Sequence, residues 1–99
     1  MQHHELKTWP EPFEAVWQGM KSHEVRDNRD RNFVVGDILH LREWSPNGRG
    51  YTGREMYATC TYKTAGGGWG LPMSVDVLSI RVDARISESA AREPGKVAP

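Results

Sequence analysis

The sequence predicts a mainly β protein with some α content, a small and partly closed β-barrel of about five to six strands with one short helix near the N-terminus. The 99 residues are enough for one domain with one core. Segments in which apolar and polar residues alternate recur along the chain, and turn-forming residues separate them. A helical period appears only after Thr8. An open α+β sheet is the alternative arrangement of the same elements.

The first elements are a short strand and a helix. Residues 3–7 are predicted to be extended, and Thr8 and Glu11 have the spacing of a capping box at the start of a helix. The apolar residues of the helix share one face, and they are Phe13, Val16, Trp17 and Met20. Gly19 is typical of the C-terminal end of a helix, so the predicted helix has only about two to three turns.

The later segments alternate with period two and are predicted to be strands. They are residues 22–26, 38–44, 54–63 and 75–82. Alternation places Leu39 and Leu41 on one face, and likewise Met56, Ala58, Cys60 and Tyr62. Turn residues at 45–50 predict a hairpin tip. We assign residues 1–84 to the domain and residues 85–99 to a disordered tail, because the tail has little to bury.

Charge and cysteine content narrow the classes of function. The 13 basic and 13 acidic side chains give a formal net charge of zero, which argues against salt-driven binding to long duplexes but allows capture of a few nucleotides. One cysteine excludes an intrachain disulfide, and no pattern has metal-ligand spacing, so we expect no metal and no cofactor. No apolar run approaches the ~20 residues of a membrane span, and no signal peptide is apparent. We therefore expect a cytoplasmic monomer without membrane contact.

The densest polar cluster is GMKSHEVR at residues 19–26, where the predicted helix ends and the next strand begins. Glu24 and Arg26 project from the same face of that strand, and Lys21 stands at the mouth of the turn. Lysine and arginine suit a phosphate or a base carbonyl. The carboxylate of Glu24 suits an exocyclic amine, or it holds Arg26 in place. An ordinary ion pair with neighbouring strands is the alternative interpretation.

This cluster resembles the G-x-K-x-x-E-x-R signature of the ASCH family, within the PUA-like superfamily of small β-barrels. The likeness covers residues 4–82, includes the V-G-D turn at residues 35–37, and points to a small phage and bacterial branch of unknown function. The resemblance implies RNA binding in a cleft of the barrel, in the cytoplasm of a bacterium or a phage-infected host. The residues at the signature positions are Gly19, Lys21, Glu24 and Arg26.

Aromatic side chains add further binding candidates. Trp69, isolated among glycines, is either an exposed platform for base stacking or a plug that closes one end of the barrel. Tyr51 and Arg54 flank a predicted turn at residues 52–53 and are candidates for contacts with backbone phosphates, with a solvated turn as the alternative. Trp9 is predicted to pack as a helix staple.

The leading hypothesis is a domain that binds RNA, or a modified or single nucleotide, in a cleft lined by Lys21, Glu24 and Arg26. The first alternative is a hydrolase acting on RNA or on a modified nucleoside, with Lys21 and Glu24 as catalytic candidates and with Ser22 and Tyr51 added for a ribonuclease. One branch of the ASCH family, which this chain resembles, deacylates N4-acetylcytidine with a lysine and a threonine three residues later. Here Glu24 occupies the threonine position, which favours a binding domain over an enzyme. The second alternative is a phage module that binds a host protein.

Overall fold

Five strands and one helix make up the part of the chain that the computed structural model describes, residues 1–48 and 50–87. In chain order they are β1 (His3–Thr8), α1 (Pro10–Trp17), β2 (His23–Asp27), β3 (Ile38–Ser45), β4 (Gly50–Thr64) and β5 (Val75–Ile86). All five strands belong to one sheet, which curls into a half-barrel with the helix packed beside it. The predicted mainly β fold with one short helix is confirmed.

The strand order places two strands at the edges of the sheet. The order is β1-β3-β4-β5-β2, with β1 parallel to β3 and the other pairs antiparallel. The curl brings the edge strands β1 and β2 towards each other. The guanidinium of Arg26 on β2 donates a hydrogen bond of 3.0 Å to the backbone carbonyl of Lys7 on β1. We call this line of approach between β1 and β2 the seam.

The inner face of the curled sheet carries the core. Its buried apolar members are Leu6, Phe13, Val16, Phe33, Leu39, Leu41, Met56, Ala58, Cys60, Leu78 and Ile80. The helical stripe is confirmed for Phe13 and Val16, and Trp17 packs against the core while partly exposed. Met20 is 77% exposed, because the helix has already ended at Trp17 and the stripe ends with it.

The start of the helix differs from the prediction. The N-cap residue is Trp9, and no side chain in the described part of the chain caps the helix. Thr8 is the last residue of β1 instead, with its buried hydroxyl donating to the carbonyl of Leu6 at 3.2 Å. The predicted capping box is therefore wrong, because the strand pairing of β1 extends through the residue that was to serve as the cap. Pro10 in the first turn has no amide proton that would need a cap.

Strand β4 is longer than predicted. It begins at Gly50, so residues 52–53 lie within the strand and the turn predicted there does not form. A register shift between Cys60 and Tyr62 turns the two side chains apart, with Cys60 fully buried and Tyr62 64% exposed. The shared face predicted for them is wrong at Tyr62, since a bulge breaks strict alternation.

Strand β5 also extends beyond its predicted end at residue 82 and reaches Ile86. The strand therefore includes the first residues that the sequence assigned to the tail. The remainder of the predicted tail, from residue 88 onward, lies outside the described residues. Within the described part of the chain, no helix is long and apolar enough to cross a membrane.

Candidate functional site

The end of the helix brings Lys21 to the seam. The amide of Gly19 donates to the carbonyl of Val16 at 3.0 Å, and the amide of Met20 donates to Ala15 at 2.9 Å, which is the hydrogen-bond pattern of a Schellman motif. Gly19 has a φ of +82°, a conformation that glycine adopts at low cost. The amide of Lys21 also donates to Ala15, at 3.0 Å. The predicted helix end is confirmed, and its geometry positions the lysine that follows.

A buried carboxylate lies at the centre of the signature residues. Glu24 is only 3% exposed. One of its oxygens accepts a hydrogen bond from Nζ of Lys21 at 3.2 Å, and the other accepts from Nε of Arg26 at 2.9 Å. Two cations compensate the charge of a carboxylate that would be costly to bury alone. The structure thus brings Lys21, Glu24 and Arg26 into one cluster.

Arg26 links this cluster to the opposite edge strand. Besides its ion pair with Glu24, its guanidinium donates to the backbone carbonyl of Lys7 at 3.0 Å and to the hydroxyl of Thr8 at 2.8 Å. A planar guanidinium can make these contacts at once, because its donors point in several fixed directions. The Glu24–Arg26 contact is therefore not an ion pair between neighbouring strands. It lies within β2 and orients an arginine that reaches across the seam to β1.

A pocket of about 300 Å³ opens beside the cluster. The residues that line it are Thr8, Trp9, Pro12, Lys21, Glu24, Val25 and Arg26. Its volume lies at the lower end of the roughly 300–1,000 Å³ of small-molecule sites, so it suits one base or one nucleoside. Trp9, 56% exposed, supplies an aromatic surface, and Glu24 and Lys21 supply an acceptor and a donor. The pocket therefore combines an apolar wall with a charged one.

Thr8 is the hydroxyl residue among the pocket-lining side chains. Its proton goes to the carbonyl of Leu6, and its oxygen accepts a hydrogen bond from Arg26. A hydroxyl nucleophile needs a base that takes its proton, and a backbone carbonyl is not such a base. Lys21 donates to Glu24 and to the carbonyl of His23. These contacts suit the recognition of a ligand better than nucleophilic attack on one.

The predicted site residues Trp69, Arg54 and Tyr51 lie away from the pocket. Trp69 is 92% exposed on its glycine-rich loop, so the interpretation as a plug is wrong. Arg54 donates to Glu43 at 3.0 Å and to Glu14 at 2.7 Å, and its guanidinium lies 4.8 Å from the centre of the Trp17 ring. The bond to Glu43, followed by that to Glu14, raises the pKa of Arg54 although burial opposes the rise. Arg54 therefore joins the helix to the sheet.

Tyr51 is exposed on the outer face of β4, with the Arg42 guanidinium 3.9 Å from the centre of its ring. It does not line the pocket. Its role as a contact for nucleic acid stays a prediction.

Sequence reasoning missed four pocket-lining residues, which are Thr8, Trp9, Pro12 and Val25. Thr8 and Trp9 were assigned to the start of the helix, as its cap and its staple. The alternation of β1, which turns Thr8 inward beside the buried Leu6, indicates that Thr8 faces the core. That its hydroxyl meets Arg26 follows only from the approach of the two edge strands. Among the described residues, no group of three or more His, Cys, Asp or Glu side chains is arranged to hold a metal ion.

Comparison with known protein families identifies a family for most of the chain. A family model described as a domain of unknown function (DUF3850) matches residues 3–80. The matched region contains the signature cluster, every pocket-lining residue and most of the sheet. No curated protein matches the chain.

Proposed function

The chain belongs to the DUF3850 family, and we propose that this member binds nucleic acid by capturing one base or nucleotide, of RNA or in a modified form, in the pocket beside Glu24. The observation that carries the proposal is the buried Glu24 carboxylate, held between Lys21 and Arg26 at the wall of a pocket that also exposes Trp9. The likeness of these residues to the ASCH signature supports the same function.

The charged wall presents an acceptor beside a donor. Each oxygen of a carboxylate has two lone pairs. Two nitrogens of Arg26 lie within 2.9 Å of one Glu24 oxygen, whereas the other oxygen accepts a bond from Lys21 and keeps a lone pair for a ligand. The ammonium of Lys21 has three N–H donors, and its two acceptors among the described residues are Glu24 and the carbonyl of His23. A base edge that offers an amine or ring N–H next to a carbonyl or ring nitrogen complements this pair.

The apolar wall favours a flat ligand. Trp9 is 56% exposed and lines the pocket together with Pro12 and Val25. Stacking of a base on an aromatic ring contributes about 1–3 kcal/mol to binding and tolerates any base. Selectivity among bases then comes from the hydrogen bonds to Glu24 and Lys21.

The charge balance fits capture of a short ligand. With 13 basic and 13 acidic residues, the chain offers little net attraction to a long phosphate backbone. Affinity for a nucleotide must come mainly from the pocket, and we expect it to fall only shallowly with salt. Hydrolysis of a modified nucleoside has weaker support, because the Thr8 hydroxyl donates to a backbone carbonyl instead of a base.

Calorimetric titration with ribonucleoside monophosphates and with N4-acetylcytidine tests the proposal. Lys21→Ala removes a charge-assisted donor, and Trp9→Leu removes the stacking ring. We expect each to lower the affinity of the best-binding probe by at least about tenfold. Arg29→Ala and Trp69→Leu are the matched controls. Arg29 is 76% exposed and pairs with Asp27, and Trp69 lies outside the pocket. Both controls are expected to bind like the wild type.

Two results would contradict the binding proposal. The first is a wild-type affinity in folded Lys21→Ala and Trp9→Leu, with folding checked by circular dichroism. The second is the absence of binding by every probe. Chromatography of the same mixtures separates a binding domain from an enzyme. A product that forms with the wild type and is lost in Lys21→Ala assigns hydrolysis to this pocket.

A further inference from the structure

A second group of aromatic and basic side chains lies on the outer face of the sheet. Glu43 on β3 is buried, so its neighbours Arg42 and Trp44 face outward. Trp44 is the cross-strand partner of Tyr51 on β4, and Arg42 is the partner of Lys7 on β1. We call these four outward residues, Lys7, Arg42, Trp44 and Tyr51, the outer platform.

Each ring of the outer platform has a cation beside it. Nζ of Lys7 lies 4.4 Å from the centre of the Trp44 ring, and the guanidinium carbon of Arg42 lies 3.9 Å from the centre of the Tyr51 ring. Tyr51 is 44% exposed, and Trp44 is partly exposed. Rings interleaved with cations are the surface that single-stranded nucleic acid uses, since bases stack on the rings and phosphates approach the cations.

The two cations differ in their acidic neighbours. Arg42 pairs with Glu5 at 2.8 Å and with Glu55 at 3.5 Å. Lys7 forms no ion pair within the described part of the chain and instead lies over the ring of Trp44. Lys7 is therefore the cation that a phosphate can approach without displacing a carboxylate. Arg42, tied to two acidic side chains, holds the outer platform in shape.

We propose that the outer platform binds the single-stranded nucleic acid that flanks the nucleotide in the pocket, a proposal that rests on the function proposed for the pocket. The two surfaces meet at the end of β1, where Lys7, Thr8 and Trp9 are consecutive. Thr8 points inward and lines the pocket, whereas Lys7 points outward and begins the outer platform. A single-stranded nucleic acid that places one base beside Trp9 then continues over Lys7 towards Trp44.

Chain length separates the two surfaces experimentally. The probes are the monophosphates of uridine, cytidine and adenosine and the matching RNA homo-oligomers of about six nucleotides, a length typical of small single-strand-binding domains. We expect the oligomers to bind more tightly than the monophosphates. Trp44→Leu and Tyr51→Leu are expected to weaken oligomer binding by at least about fivefold and to leave monophosphate binding unchanged. Tyr62→Leu, which removes another exposed tyrosine of β4, is the matched control.

Salt dependence provides a second measurement that does not involve the rings. Lys7→Ala is expected to reduce the slope of log affinity against log salt by about 0.7, the loss of one phosphate contact on a single strand. Oligo-deoxythymidine tests whether binding depends on the sugar. Stacking and phosphate contacts are available to both DNA and RNA, so each variant is expected to lose a similar factor of affinity for both.

The outcomes distinguish failure of this inference from failure of the pocket. Two results would contradict binding at the outer platform and leave the proposal for the pocket intact. One is monophosphate binding with no gain in affinity for oligomers. The other is oligomer binding that is unchanged in folded Trp44→Leu and Tyr51→Leu. Oligomer binding that depends on Trp44 and Tyr51, without any monophosphate binding, supports the outer platform and overturns the pocket. Capture of a protein at this face in place of the oligomers overturns the inference.

Discussion

Replacing Arg26 by lysine keeps a positive charge beside Glu24 but removes the planar fork that joins the two edge strands. The lost hydrogen bonds are those to the carbonyl of Lys7 at 3.0 Å and to the hydroxyl of Thr8 at 2.8 Å. At about 1 kcal/mol net for each bond, Arg26→Lys is expected to lower the free energy of unfolding by about 2 kcal/mol. The side chain of Arg26 is only 19% exposed, so solvent compensates little of this loss.

Urea denaturation followed by tryptophan fluorescence measures the change. In a thermal melt, a loss of about 2 kcal/mol corresponds to a fall in Tm of roughly 8–16 °C for a domain of this size. Hydrogen exchange locates the effect, because faster exchange is expected first in β1 and β2. Arg29→Lys is the matched control, since Arg29 is 76% exposed and pairs with the neighbouring Asp27. We expect it to change the free energy of unfolding by less than about 0.5 kcal/mol.

A decrease of less than about 0.5 kcal/mol in the free energy of unfolding of Arg26→Lys, the range of ordinary surface substitutions, would contradict the prediction. An equal decrease in Arg29→Lys would also contradict it, because the effect would then follow from the removal of any guanidinium. A loss of the expected size with unchanged exchange in β1 and β2 would place the effect outside the seam.

Two further predictions concern the turn before Lys21 and the acid stability of the domain. Gly19→Ala is expected to lower the free energy of unfolding by about 1 kcal/mol, because a φ of +82° strains a residue with a Cβ. Urea denaturation measures this change. Gly68→Ala, whose added Cβ meets nothing within 4 Å, is the control, and equal costs would contradict the strain. Burial raises the pKa of Asp37, but hydrogen bonds from the Gln2 amide, from His4 and from the Val34 amide together lower this pKa below its ordinary value. The Asp37 carboxylate thus stabilises the fold above its unfolded pKa of about 3.9, and this contribution is lost as the pH falls through the lower folded pKa. Between about pH 5 and pH 2, the free energy of unfolding is expected to fall less steeply in Asp37→Asn than in the wild type, and equal slopes would refute this.

Much of the fold could be predicted from local patterns. Alternation placed Leu39 and Leu41 on one face of a strand, and both are fully buried. Gly19 indicated the end of the helix, and its φ of +82° there agrees. These predictions succeeded because the side-chain period of a strand and the φ preference of glycine act within a few residues and do not depend on distant partners.

Prediction failed where a distant contact overrides a local rule. Thr8 and Glu11 have capping-box spacing, yet Thr8 is the last residue of β1, pairs with Glu43 of β3, and accepts a hydrogen bond from Arg26 at its hydroxyl. Arg54 was placed beside a solvated turn, whereas the structure ties it to the helix through Glu14. Neither partner is visible in the residues that surround these positions in sequence.

The sequence by itself determined that this protein is mainly β with one short helix, and that Glu24 and Arg26 share a strand face near Lys21. Only the tertiary structure decided that Arg26 crosses the seam and that Trp9, not Trp69, lines the pocket. Periodicity specifies which way a side chain points, because it depends on neighbouring φ and ψ angles. The residues that meet across the seam depend on the curl of the sheet. This curl is the sum of the twists of all the strands between the two edge strands.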